Sequence, residues 1–177
     1  MSGDVKAPTQ SVAYEKKPWI EGDLTIDRAV LEGIQAHALE TYPSECCGFA
    51  SGAASEARAV TSAVREVNEA DKYHKLDPIT SPRTSTTYFK INELRAAKAF
   101  DQGEKNGQPI KVIYHSHCDA GAYFSQEDAA TFASDNLLMW PCAFIVVSVM
   151  KGQLAETKLW VHVPGTNGFA ESSLTVK

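Results

Sequence analysis

No apolar run in this 177-residue chain reaches the roughly 18 residues that a membrane-spanning helix needs. No basic stripe stands out, and the formal charge is −5, so neither nucleic acid nor a membrane is an expected partner. Cysteine is scarce: Cys46, Cys47, Cys118 and Cys142 are the full set of 4, and no two form a C-x-x-C pair. A disulfide framework is therefore not expected. Residues 1–17 carry scattered charge and no apolar h-region, so a secretory signal is not expected and the reducing cytoplasm is the expected compartment. Internal repeats and interdomain linkers are lacking too.

What remains is the composition of an ordinary globular domain, 44% hydrophobic and 22% charged. Residues 1–18, rich in Ser, Lys, Thr and Pro, read as a flexible arm, and residues 19–177 as one domain. Leu24-Thr25-Ile26 suggests a short strand. Asp27 is a good N-cap, and Val30, Leu31, Ile34, Ala38 and Tyr42 follow at helical spacing until Pro43. Residues 45–52 and 59–67 read as strands. Residues 71–86 have neither period and read as a long loop, and 87–91 as a further strand. Asn92 can cap a helix that Asn106-Gly107 closes. Residues 110–115 and 143–149 are apolar on both faces, the mark of central strands. Ser125 begins a helix to about 135, residues 154–163 alternate as a strand, and a weaker strand follows around Ala170, Leu174 and Val176. The fold class is mixed α/β: a curved sheet with about three helices.

The informative segment is His115-Ser116-His117, then seven residues, then Ser125-Gln126-Glu127-Asp128. Residues i and i+2 of a strand point to the same side, so both imidazoles can reach one metal. Asp128 falls in the first turn of the next helix, and Gly121 lets the intervening loop fold back. Two nitrogens and one carboxylate oxygen leave a fourth tetrahedral position open, which is the ligand count of a catalytic zinc site. Each part also has a plainer reading. A lone H-x-H is more often surface or core histidine, and Ser125-x-x-Asp128 is also an ordinary helix start. Hydrolysis at such a metal still wants a carboxylate to carry protons. Asp119, Glu127 and the distant Glu45 are all candidates, and spacing alone does not choose among them.

Glu45 together with His115-x-His117-x7-Ser125-x2-Asp128 resembles the full signature of the JAMM (MPN-plus, JAB) metallopeptidases. Pro43-Ser44-Glu45-Cys46-Cys47-Gly48 resembles that family's P-x-E-x-C-G strand, and the likeness extends over residues 22–163. It implies a single MPN-like, cytidine-deaminase-like domain. It implies one Zn²⁺ held by His115, His117 and Asp128, Glu45 as general base and acid, and Ser125 as oxyanion stabiliser. The segment from His117 to Ser125 is similar to small stand-alone prokaryotic members, which act on ubiquitin-like and sulfur-carrier proteins ending in diglycine. The resemblance therefore implies hydrolysis of a peptide or isopeptide bond after that diglycine, either deconjugation or tail processing. Cys118 departs from the proline of many members, leaving the ligands intact but loosening the loop. The rival readings are a non-catalytic scaffold of the same fold, which typically lacks the ligands, and a zinc hydrolase of another amide. Residues 71–86 read either as a substrate flap, by likeness to an insertion in related enzymes, or as a disordered surface loop. Ser116 should face away from the metal. His37, His74 and His162 lack partners at ligand spacing and read as structural. Cys142 reads as a small buried hydrophobe.

Overall fold

The computed structural model describes residues 17–177. The expected arm of residues 1–18 lies outside the described residues except for its last two. Of these, Lys17 pairs with Glu104, and Pro18 opens a 3₁₀ turn, Pro18–Glu21.

Strand β1, Leu24–Ile26, leads into helix α1, Arg28–Thr41. Asp27 occupies the N-cap as the sequence suggests, but its side chain makes no capping bond. Strand β2, Cys47–Ser51, follows; the expected 59–67 strand is broken into β3, Ala59–Val60, and β4, Ser62–Glu66, which enter different sheets. The stretch read as a long loop contains helix α2, Ala70–Leu76, and no strand forms at 87–91. Helix α3, Glu93–Lys105, starts at Asn92, whose side chain accepts from the Arg95 N–H at 3.0 Å.

Strand β5, Ile110–Cys118, runs three residues further than its apolar pattern suggests, carrying both histidines inside the sheet. Helix α4, Gln126–Phe132, stops earlier than expected, where Ala133–Ser134 (β6) turns back to pair with Leu137–Leu138 (β7). Then come β8, Ala143–Met150; β9, Gln153–His162; β10, Phe169–Ser172; and β11, Leu174–Val176. The single weak strand expected at the C-terminus is thus two, β11 joining β1 and β3 in a small parallel sheet.

The main sheet has the order β10-β9-β8-β5-β2-β4, parallel only between β5 and β8. Those two central strands are buried almost throughout, so their side chains face packed layers on both sides, as their unbroken apolar sequence requires. Helix α1 covers one face against β4, β5, β8 and β9; α3 packs on β5. Fully burying each Ile, Val or Phe of these strands contributes about 1.5–3 kcal/mol against chain entropy. At Gly48 a Cβ would lie 2.4 Å from the Tyr114 hydroxyl and from the Val64 carbonyl, so β2 can sit between its neighbours only with glycine there.

Candidate active site

The register of β2 against β5 builds the site. Cys47 stands opposite His115 in an antiparallel pair. Continued by two residues, that register puts Glu45 opposite His117, and directly opposed residues share a face of the sheet. Between them, the Ser116 N–H donates to the Cys46 carbonyl at 3.1 Å and the Cys46 N–H donates to Ser116 Oγ at 2.7 Å. Ser116 thus faces away from the histidines, as expected, and clamps the glutamate's strand to theirs.

His115 Nε2, His117 Nε2 and Asp128 Oδ2 form a nearly equilateral triangle with edges of 3.1, 3.1 and 3.2 Å. A carboxylate oxygen of Glu45 and the two histidine nitrogens lie within 4.8 Å of one another. Three ligand atoms around a tetrahedral zinc, at 2.0–2.1 Å from it, would stand about 3.3 Å apart. The triangle therefore fits such an ion, and its two nitrogens and one oxygen suit zinc chemically. All four side chains are buried, His115 completely.

The surrounding contacts orient these atoms. His117 Nδ1 lies 2.8 Å from the Gly121 carbonyl, which only a ring N–H can satisfy, so the Nε2 lone pair faces the triangle. His115 Nδ1 has no hydrogen-bond partner; its ring is held instead by stacking on Phe89, 4.3 Å between centroids. Asp128 Oδ2 accepts the Ser125 N–H at 3.0 Å while Ser125 Oγ accepts the Asp128 N–H at 3.0 Å. This capping box makes the start of α4 and the aim of Asp128 one and the same arrangement. It occupies an acceptor site of the Ser125 hydroxyl and leaves its proton to donate. The loop reverses at Asp119, whose φ is 56°, not at Gly121, so the fold-back expected of the glycine is performed by an aspartate.

The two nearer carboxylates are engaged by other partners. Asp119 accepts from the Tyr42 hydroxyl at 2.8 Å and the Lys151 N–H at 2.7 Å, bracing the turn after β8. Glu127 pairs with Arg83 at 2.8 Å. Glu45 is the buried one: burial pushes its carboxyl up to about 8, against the pull of His117. Asp128 is held far below the usual carboxylate range, its own burial outweighed by His115 and His117.

Glu45, His117, Ser125 and Asp128 line one cavity of about 120 Å³, with Tyr123 beside them, its ring tilted against that of His117 at 5.0 Å between centroids. Cys118 lines it too, and burial pushes its thiol up to about 12, far from a thiolate nucleophile. The other three cysteines are buried and unpaired, Cys142 fully. His37, His74 and His162 bond to the Tyr114 hydroxyl, the Ser81 carbonyl and the Thr166 carbonyl, away from the cluster. Sequence reasoning missed Phe89, Arg83 and Asn68. Phe89 and Asn68 carry no sequence signal for their roles; Arg83 was visible only as a charge in an aperiodic stretch.

The Asn68 amide donates to the carbonyls of Glu45 and Tyr88, both at 3.0 Å, and its Oδ1 accepts from Ala70 and Lys90. The Glu45 N–H donates to the Ser85 carbonyl at 2.7 Å, and Asp71 accepts both the Ser85 N–H and its hydroxyl. Residues 68–90 are therefore fastened to the glutamate's backbone.

A family model of prokaryotic homologs of the JAB domain matches residues 27–162. The CysO-cysteine peptidase of Mycobacterium tuberculosis is 26% identical over 105 residues, 59% of this chain and 62% of that protein. The same values hold for its Mycobacterium bovis counterpart, so the match spans about three fifths of the curated relatives' length. Among solved structures, a protein from Desulfitobacterium hafniense superposes with a TM-score of 0.63 at 20% identity, covering 87% of this chain and 92% of that one. A JAB1/MPN domain protein from Archaeoglobus fulgidus gives a TM-score of 0.51 at 15% identity, covering 88% and 99%. At such identities the likeness is one of fold.

Proposed function

Because the chain belongs to the family of prokaryotic JAB-domain homologs, we propose that it is a zinc-dependent peptidase acting on a carrier protein. The bond cut follows the C-terminal diglycine of a ubiquitin-like or sulfur-carrier domain. The observation that carries this reading is the triangle of His115 Nε2, His117 Nε2 and Asp128 Oδ2, with the Glu45 carboxylate beside it. The curated relative's name, CysO-cysteine peptidase, supports the class of substrate.

In this reading His115, His117 and Asp128 hold the ion. When bound, zinc supplies Lewis acidity, lowering the pKa of a coordinated water to about 7 and polarising the scissile carbonyl. Glu45 takes a proton on its buried carboxylate and returns it to the departing nitrogen. The Ser125 hydroxyl, its acceptor side engaged by the Asp128 N–H, donates to the oxyanion. Phe89 and the buried face of β5 keep bulk water from His115. Glycine on the substrate tail lets its backbone approach these walls closely.

Elemental analysis and kinetics on purified variants test the reading. Wild type should carry one zinc per chain, His115→Ala and His117→Ala none, and Glu45→Gln one zinc with activity near background. Undiminished zinc in either histidine variant removes the ligand assignment. Normal kcat in zinc-loaded Glu45→Gln removes the proton carrier. A tail whose terminal glycine is replaced by a bulky residue should be cut far more slowly; equal rates would exclude diglycine selection.

A further inference from the structure

The cavity onto which Glu45, His117, Ser125 and Asp128 open has one permanent cation among the described residues that line it, the guanidinium of Arg83. Arg83 is not part of the motif that places the other four. Its Nη1 meets Glu127 Oε1 at 2.8 Å, with the two side chains 37% and 50% exposed. A pair so open to solvent is weak and readily exchanged. It uses one terminal nitrogen of a group that carries five donors in a fork shaped for a carboxylate. Glu127 directly precedes Asp128 in the first turn of α4, so the guanidinium is held on the wall of the reaction cavity.

This position distinguishes two kinds of departing group. A single amino acid beyond the diglycine has its α-carboxylate within one residue's length of the cut bond, about 3.3–3.6 Å along the chain. A lysine joined through its side chain brings no carboxylate there, only a methylene stem leading to a folded protein. A tail carboxylate entering the cavity meets Glu127 on its wall, whose like charge opposes it. A fork donor on the same wall offsets that repulsion and fixes the tail's direction.

We propose that Arg83 binds the free α-carboxylate of one C-terminal amino acid, directing this protein to remove a single residue from a diglycine tail in preference to splitting an isopeptide bond. The inference rests on the peptidase reading above. One water is consumed: its oxygen bonds to the terminal glycine carbonyl carbon, the carbon–nitrogen bond breaks, and a proton goes to the amine of the released amino acid.

The test uses the full chain carrying Glu45→Gln, which holds substrate without turnover. Two probes are titrated into it: a sulfur-carrier domain ending Gly-Gly-Cys with a free carboxylate, and the same domain ending in the carboxamide. The free acid should bind roughly tenfold to a hundredfold tighter, the range of a lost charge-assisted contact. Adding Arg83→Gln should bring the ratio close to one, and Arg83→Lys should restore part of it. Equal affinities with Arg83 present, or a ratio that survives Arg83→Gln, overturns the assignment. Turnover by the wild-type chain separates the two readings. If a lysine-isopeptide probe is cut as fast as the free acid, Arg83 selection is overturned while the peptidase stands. If nothing is cut although the acid preference in binding persists, the peptidase reading falls and the carboxylate site stands.

Discussion

At the scale of single residues, the site works by giving each side chain two duties. Ser125 both caps α4 and presents a hydroxyl to the cavity. Ser125→Ala should therefore lose about 1 kcal/mol of stability from the cap. It should separately lose up to about 3–4 kcal/mol of transition-state stabilisation. Thermal melts run beside kcat distinguish the two, and an unchanged kcat would count against the oxyanion role. His37 shows the opposite economy: buried on α1 with Nδ1 2.8 Å from the Tyr114 hydroxyl, it is structural alone. Burial, aided by Arg65 and opposed by Glu40, holds its imidazolium below the ordinary range. The folded state therefore prefers the neutral ring. Its contribution is complete above the unfolded pKa near 6.5 and is lost as pH falls below it. Between about pH 7.5 and 5.5 the wild-type Tm should fall by a component that His37→Gln lacks. Identical slopes would show that His37 is not responsible.

At the scale of elements, the most informative segment is the one that holds residues 71–86, which read as a loop. Residues 68–90 contain α2 and hydrogen-bond to the main chain of Glu45, so the segment positions the glutamate as well as bordering the cavity. Such polar networks cost most when half-broken. Asn68→Ala removes an amide that bonds four backbone groups and should cost about 1–3 kcal/mol. It should lower kcat while zinc content stays at one per chain. A variant with raised KM and unaltered kcat would mean that the segment only contacts substrate, as a simple flap would. A second bolt holds the far end of β5. Lys111, fully buried, donates to the carbonyls of Ala53, Glu56 and Ala59 at 2.7–2.9 Å, tying the turn between β2 and β3 to the central strand.

At the scale of the whole molecule, the candidate site sits where the central strand β5 meets the loop into α4, so a metal held there would link its binding to folding. A ligand present at a hundred times its Kd adds about 2.7 kcal/mol to the native state. For a chain of this length that corresponds to roughly 5–10 °C in Tm. Chelation should lower the melting temperature of the wild type by about this amount. It should leave that of His115→Ala nearly unmoved. An equal drop in both would place the chelator's effect elsewhere. Among the described residues no helix is long and apolar enough to cross a membrane.

Much of this was legible without coordinates, and for definite reasons. Helices α1 and α3 and strands β5 and β8 announce themselves through local periodicity and caps, which act over a few residues. The spacing His115-x-His117 and the pair Ser125, Asp128 were readable because strand parity and helix-start geometry are local too. Other features depended on what the chain packs against. Thr87–Ile91 has the composition of a strand, yet Phe89 turns inward to stack on His115 and the backbone bonds to Asn68 and the Glu69 N–H, so no strand forms. Residues 71–86 lack a period because their order comes from Asn68, Asp71 and Ser85, polar contacts that leave no hydrophobic pattern. Glu45 is the clearest case. Its place beside the histidines, seventy residues on, follows from the register of β2 on β5, and register is a property of the assembled sheet. The sequence by itself determined the strand parity that points His115 and His117 to one side and the helix start that carries Asp128. Only the tertiary structure brought the glutamate and Arg83 to the same cavity, because long-range pairing has no counterpart in local chemistry.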